Sequence, residues 1–103
     1  MVTTRAGLTS DGAVVTIAPG DVLELALPEN PTTGYRWALD PLPAGATLLD
    51  DRMERSDPAP DPGAGATRVF AIRVGGPAAF HAQLRREWEA APIQDFTVHA
   101  APA

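Results

Sequence analysis

The 103-residue chain contains no cysteine and no lysine. Without cysteine there is no disulfide framework, no thiolate metal site and no cysteine nucleophile. No apolar run reaches the roughly 20 residues needed to cross a bilayer as a helix. Met1 leads directly into Val2, Thr3 and Thr4 without the apolar stretch of a signal peptide. A cytoplasmic location is therefore expected for the sequence as it stands, and export if a leader has been removed. Positive charge is scarce as well: eight arginines face thirteen acidic residues, for a net charge of -5. Arg85 and Arg86 are the only adjacent basic pair. Nucleic acid and anionic membranes both demand a basic surface, so neither is expected as a partner.

Catalytic residue types are equally sparse. The two histidines, His81 and His99, fall on polar strand faces and read as solvated side chains. Ser10 and Ser56, the only serines, lie in no motif that would set a base beside a nucleophile. The histidines lack short metal-ligand spacing, and Asp50, Asp51, Asp57 and Asp61 lack the glycine-punctuated spacing of a calcium loop. Gly63-Ala64-Gly65 is followed by neither a lysine nor a helix start, so it is no phosphate loop. Neither enzyme activity nor a cofactor is expected.

What the chain does have is punctuation. Eleven prolines and nine glycines interrupt it at short intervals, which opposes long helices. Alternating apolar segments lie between them, at residues 12–17, 21–27, 35–39, 70–74, 80–85 and 93–99, with a weaker one at 46–55. Good helix formers fill 78–91, but the Gly75-Gly76 turn before it and the strand after it favour a hairpin. The pattern predicts one domain, all-β, an antiparallel β-sandwich of about seven or eight short strands. Its core would be Leu23, Leu25, Trp37, Phe70, Ile72, Phe80, Leu84, Phe96 and Val98.

Three segments read as loops. Residues 28–34 combine two prolines with stiff threonines, and Gly34 permits a positive φ at the exit, so the loop is pre-organised and presents amides and hydroxyls. Residues 56–66 hold three prolines and two glycines and cannot join a ladder throughout. Residues 85–92 set Trp88 among Arg85, Arg86, Glu87 and Glu89, a poor context for a core residue. Exposed tryptophan and arginine are the types enriched at interface hot spots.

The run Asn30, Pro31, Thr32, Thr33, Gly34, Tyr35, with Trp37 two positions on, resembles the signature of the chagasin-like inhibitors of papain-family cysteine peptidases. The family's second loop, glycine-rich and followed by a strand, is matched in part by Gly63, Ala64, Gly65 and Ala66. Its third loop carries Arg-Pro-Trp, matched in part by Arg86, Glu87 and Trp88. The resemblance implies an immunoglobulin-like β-sandwich with three loops at one end that enter a peptidase cleft. Thr32, Thr33 and Gly34 would lie nearest the catalytic cysteine, residues 63–66 on the non-primed side, and Arg86 with Trp88 on the primed side. It implies reversible, competitive inhibition of a papain-family cysteine peptidase by a protein that is monomeric when free. The other reading is an immunoglobulin-like interaction module that keeps the fold and binds a different partner.

Overall fold

The computed structural model describes residues 2–30, 33–55, 66–89 and 91–102. The alternating segments form eight strands: β1 (Thr3–Ala6), β2 (Val14–Thr16), β3 (Val22–Pro28), β4 (Tyr35–Leu39), β5 (Ala46–Arg55), β6 (Ala66–Val74), β7 (Ala78–Arg86) and β8 (Gln94–Ala101). They make two four-stranded sheets, ordered β1-β3-β6-β5 and β2-β8-β7-β4. A 3-10 turn lies at Leu8–Ser10, between β1 and β2.

The all-β sandwich is as expected, with two differences in detail, at β1 and in the direction of the edge strands. β1 carries one buried residue in four and so leaves almost no apolar alternation to read. The edge strands β1 and β2 pair in parallel with β3 and β8, so both sheets are mixed. Alternation records which face a residue occupies but not the direction of its neighbour. The segment after Gly75-Gly76 is a strand, not a helix, and pairs antiparallel with β8. The two glycines themselves carry the chain from one sheet to the other.

Leu23, Leu25 and Leu27 of β3 meet Phe70, Ile72 and Val74 of β6 across the core from Trp37, Phe80, Phe96 and Val98. Of the expected core only Leu84 differs: it is partly buried, packed against the core from the last rungs of β7 beside Trp37. The sheet's fraying end, where the loops begin, leaves it a solvent-facing side.

The outer face of the first sheet is closed by charge. Arg5 bonds Glu24 at 3.1 Å and Glu54 at 3.0 Å, while Arg52 bonds the same carboxylates at 2.9 and 2.8 Å. Arg5 and then Arg52 hold the Glu54 carboxyl down at about 2. Under these long side chains Val69 and Ala71 are buried although they point outward. Edge strand β5 also carries a bulge between Leu48 and Asp50, and charge and bulge together discourage edge-to-edge association.

On the outer face of the second sheet His81 is not simply solvated. Its Nδ1 lies 2.6 Å from Asp40 and its Nε2 3.1 Å from Asp95, so it joins β4, β7 and β8. The hydrogen bond to Asp40 is the main cause of its raised pKa. A raised folded pKa stabilises the fold below the unfolded value of about 6.5, and that gain disappears as pH rises through the folded value. Thermal melts of His81→Gln should thus show a deficit against wild type near pH 5.5 that shrinks by about pH 8.5. Its size should be about 1 kcal/mol or less, because the group is partly exposed.

Gly75 faces a backbone neighbour. A Cβ placed there would lie 2.5 Å from the Gly45 carbonyl oxygen, whereas one at Gly76 meets nothing within 4 Å. Gly75→Ala should therefore cost about 1–3 kcal/mol in denaturant unfolding. Gly76→Ala, at the next residue of the same turn, should stay within roughly 0.5 kcal/mol of wild type.

Candidate functional site

The strand directions bring three connections to one end of the sandwich. β3 ends at Pro28 opposite Thr67, near the start of β6. β5 ends at Arg55 opposite Ala66, and β4 begins at Tyr35 opposite Arg86, the last residue of β7. The 29–34, 56–65 and 87–93 connections therefore all begin and end there.

The first connection is held from below by a buried carboxylate. Glu29 is 5% exposed and its Oε1 accepts the Trp37 backbone N–H at 2.6 Å. Arg68 donates to its other oxygen at 3.4 Å. The Glu29 N–H in turn donates to the Ala66 carbonyl at 3.2 Å, tying the base of the first connection to that of the second. The indole N–H of buried Trp37 donates to the Pro28 carbonyl at 2.8 Å, so the core tryptophan also anchors the loop's entrance. Arg68 is itself fixed by Asp51, whose Oδ1 lies 2.6 Å from its Nε, and its guanidinium lies 5.6 Å from the Phe70 ring centre.

Within the loop, Thr33 ties the chain to itself. Its N–H and its hydroxyl both donate to the Asn30 carbonyl, at 3.2 and 2.9 Å, and the hydroxyl oxygen accepts the Tyr35 N–H at 3.2 Å. The Thr33 hydroxyl thus takes part in loop geometry while the residue stays exposed. Gly34 adopts φ +80°, as its position at the loop exit predicts.

Arg86 joins the first connection to the third. Its Nε donates to the Thr33 carbonyl at 3.2 Å, and its guanidinium carbon lies 4.2 Å from the Tyr35 ring centre and 5.9 Å from that of Trp88. The Glu89 N–H bonds the Arg86 carbonyl at 3.1 Å, closing a tight turn with Glu87 and Trp88 at its centre. Trp88 leans its ring tip over Gly34: a Cβ there would lie 3.3 Å from Trp88 Cη2. The residue nevertheless stays 73% exposed. A large aromatic face is thereby held at the surface in a fixed pose, stacked with arginine.

The residues expected at the site fall into three groups. Asn30, Thr33, Gly34, Tyr35, Arg86, Glu87 and Trp88 come together as one surface. Pro31, Thr32, Gly63, Ala64 and Gly65 lie outside the described residues. Ala66 departs from its expected place: it opens β6, is 5% exposed, and pairs with Arg55. No non-glycine described residue has a positive φ, so alanine at 66 imposes no strain. Its side chain is packed inward, and only its carbonyl serves the site, through Glu29. Arg85 and Arg86 likewise belong to β7 rather than to the loop, which starts at Glu87.

Glu29 and Arg68 were not foreseen. A signal existed: Arg68 has the same strand parity as Phe70, Ile72 and Val74, so an arginine on the core-facing side of β6 requires a buried acid nearby.

A family model described as chagasin family peptidase inhibitor I42 matches residues 16–100. The chain belongs to the chagasin family of peptidase inhibitors. It is 32% identical to chagasin from Trypanosoma cruzi over 102 residues, covering 86% of this chain and 88% of chagasin. The crystal structure of the cysteine protease inhibitor EhICP2 from Entamoeba histolytica superposes with a TM-score of 0.83 at 22% identity, over 98% of this chain and 96% of that one. The solution structure of amebosin matches with a TM-score of 0.66 at 25% identity, covering 96% of each chain. The family consists of inhibitors, not enzymes, in keeping with the sparse catalytic residue types.

The anchoring role of Glu29 can be measured directly. Glu29→Ala should lower unfolding free energy by about 1–3 kcal/mol, because it strands the Trp37 N–H and removes one of the two carboxylates that hold Arg68. Glu29→Gln, which keeps an acceptor for Trp37, should lose clearly less in the same denaturant titration.

Proposed function

We propose that this protein is a reversible, competitive inhibitor of papain-family cysteine peptidases, presenting the loop end of the sandwich to the active-site cleft. The observation that carries the reading is the cross-tied surface of Thr33, Gly34, Arg86 and Trp88, in a chain of a peptidase-inhibitor family. Preformed loops reduce the ordering cost that otherwise offsets contact energy. Three connections on one sandwich end can supply the roughly 800 Å² per partner usual for protease–inhibitor complexes. In this mode Thr32, Thr33 and Gly34 approach the catalytic thiolate, residues 63–65 face the non-primed side, and Arg86 with Trp88 the primed side. Ala66 acts through its carbonyl as an anchor.

Resistance to cleavage has a local cause in the same geometry. A carbonyl under nucleophilic attack must be delivered to oxyanion-hole donors. The Thr33 carbonyl is already held by Arg86 at 3.2 Å. Attack at the Thr33–Gly34 bond would have to bring to the oxyanion hole a carbonyl that already accepts from Arg86, in a loop held by its Asn30–Thr33 ties.

The deciding test is steady-state inhibition of papain and of a cathepsin L-type enzyme, with a serine peptidase as control. Inhibition of the cysteine enzymes alone, relieved by excess substrate, is expected; none by folded protein would refute the reading. Glu87→Pro sharpens the test. Glu87 occupies the second position of the Arg86–Glu89 turn, where proline's fixed φ fits. Stiffening the turn that carries Trp88 should lower the inhibition constant several-fold, chiefly through slower dissociation.

A further inference from the structure

Beside the loop end lies a second charged feature, which shares only Glu87 with the surface described above. Arg36 of β4 and Arg85 of β7 are directly opposed in register, one rung from the Tyr35–Arg86 pair. Like charges directly opposite on a sheet are destabilising. Among the described residues Arg5, Arg52, Arg68 and Arg86 each have a carboxylate within 3.4 Å, while exposed Arg73, opposite Val22 on β3, has none. Among the described residues neither Arg36 nor Arg85 has one. Arg85 reaches only the Glu89 carbonyl, at 3.4 Å. The two arginines line an open depression of about 240 Å³ together with Ala38 and Glu87. Glu87 lies beyond ion-pair distance of both.

We propose that Arg36 and Arg85 form an accessory docking surface for carboxylate side chains on the outer rim of the target peptidase's cleft, next to the wall met by the third connection. The inference rests on the inhibitor reading and deepens it by naming a property of the target: an acidic primed-side rim. Paired guanidinium groups can grip a carboxylate bidentately, and the small Ala38 leaves the depression open. A chain of net charge -5 repels an acidic partner at long range, so a local positive patch beside the loops orients the encounter. The arrangement trades cross-strand repulsion in the free protein for attraction in the complex.

The test uses the full chain and its Arg36→Glu variant, with papain and cathepsin L as probes, at low and at raised salt. Against an enzyme that wild type inhibits, Arg36→Glu should slow association about tenfold at low salt and flatten its salt dependence. The melting temperature of the variant should hold or rise, because the introduced carboxylate would face Arg85 across the strand pair. Arg85→Gln should slow association in the same sense but less. Unchanged association rates with both enzymes, while wild type inhibits, would overturn this inference and leave the inhibitor reading intact. A lowered melting temperature would assign Arg36 a structural role and overturn it too. Absence of inhibition by wild type would sink both readings together.

Discussion

The loop end of this sandwich depends on one buried carboxylate. Glu29 sits where β3 hands over to the first connection, and its two oxygens are claimed by the Trp37 backbone and by Arg68. A carboxylate so placed is tolerable only while both partners stay in position. Its stability requirement therefore becomes a geometric one. The start of the loop, the strand that follows it and the first rungs of β6 must keep fixed relative positions. Trp37 reinforces this by filling the core with its ring while its N–H restrains Pro28. Core packing and loop placement are thus a single constraint, and the loop inherits the rigidity of the sheets beneath it.

Above that anchor the construction changes character. Arg86 is the shared partner of Thr33, Tyr35 and Trp88, and it holds them with one hydrogen bond and two cation–π contacts rather than with buried area. Such contacts fix orientation while leaving apolar surface in water. Trp88 is the clearest product: posed over Gly34, yet largely exposed. In a protein that folds for its own stability alone, that ring would be folded away. An exposed, pre-oriented aromatic beside a charged stack is what a recognition surface requires.

The remaining surface divides its charges with equal clarity. The first sheet closes its outer face with a ring of Arg5, Glu24, Arg52 and Glu54, each charge meeting its opposite. The second sheet places the compensated His81 cluster further from the loops and the uncompensated Arg36–Arg85 pair beside them. A directly opposed, uncompensated arginine pair therefore lies on the strands that lead to the exposed aromatic.

Much of this was legible in the sequence because it rests on local rules. Alternation marked the inward faces of β3, β4, β6, β7 and β8, since a strand buried on one face must alternate. Proline and glycine spacing ruled out helices, and Gly34 was marked as the residue needing a positive φ. The motif at residues 30–35 pointed to the end proposed as inhibitory, and the charge pattern around Trp88 marked it as exposed. Tertiary structure decided what depends on contacts between distant residues. These include the parallel pairing of β1 and β2, the inward turn of Ala66, and the capture of the Thr33 hydroxyl by its own loop. They also include the burial of Glu29 against Arg68, 39 residues away, and the meeting of Arg86 with Thr33, 53 residues away. A residue's face is written in its neighbours one and two positions along, but its partner depends on strand order and register, which only the assembled sheets determine.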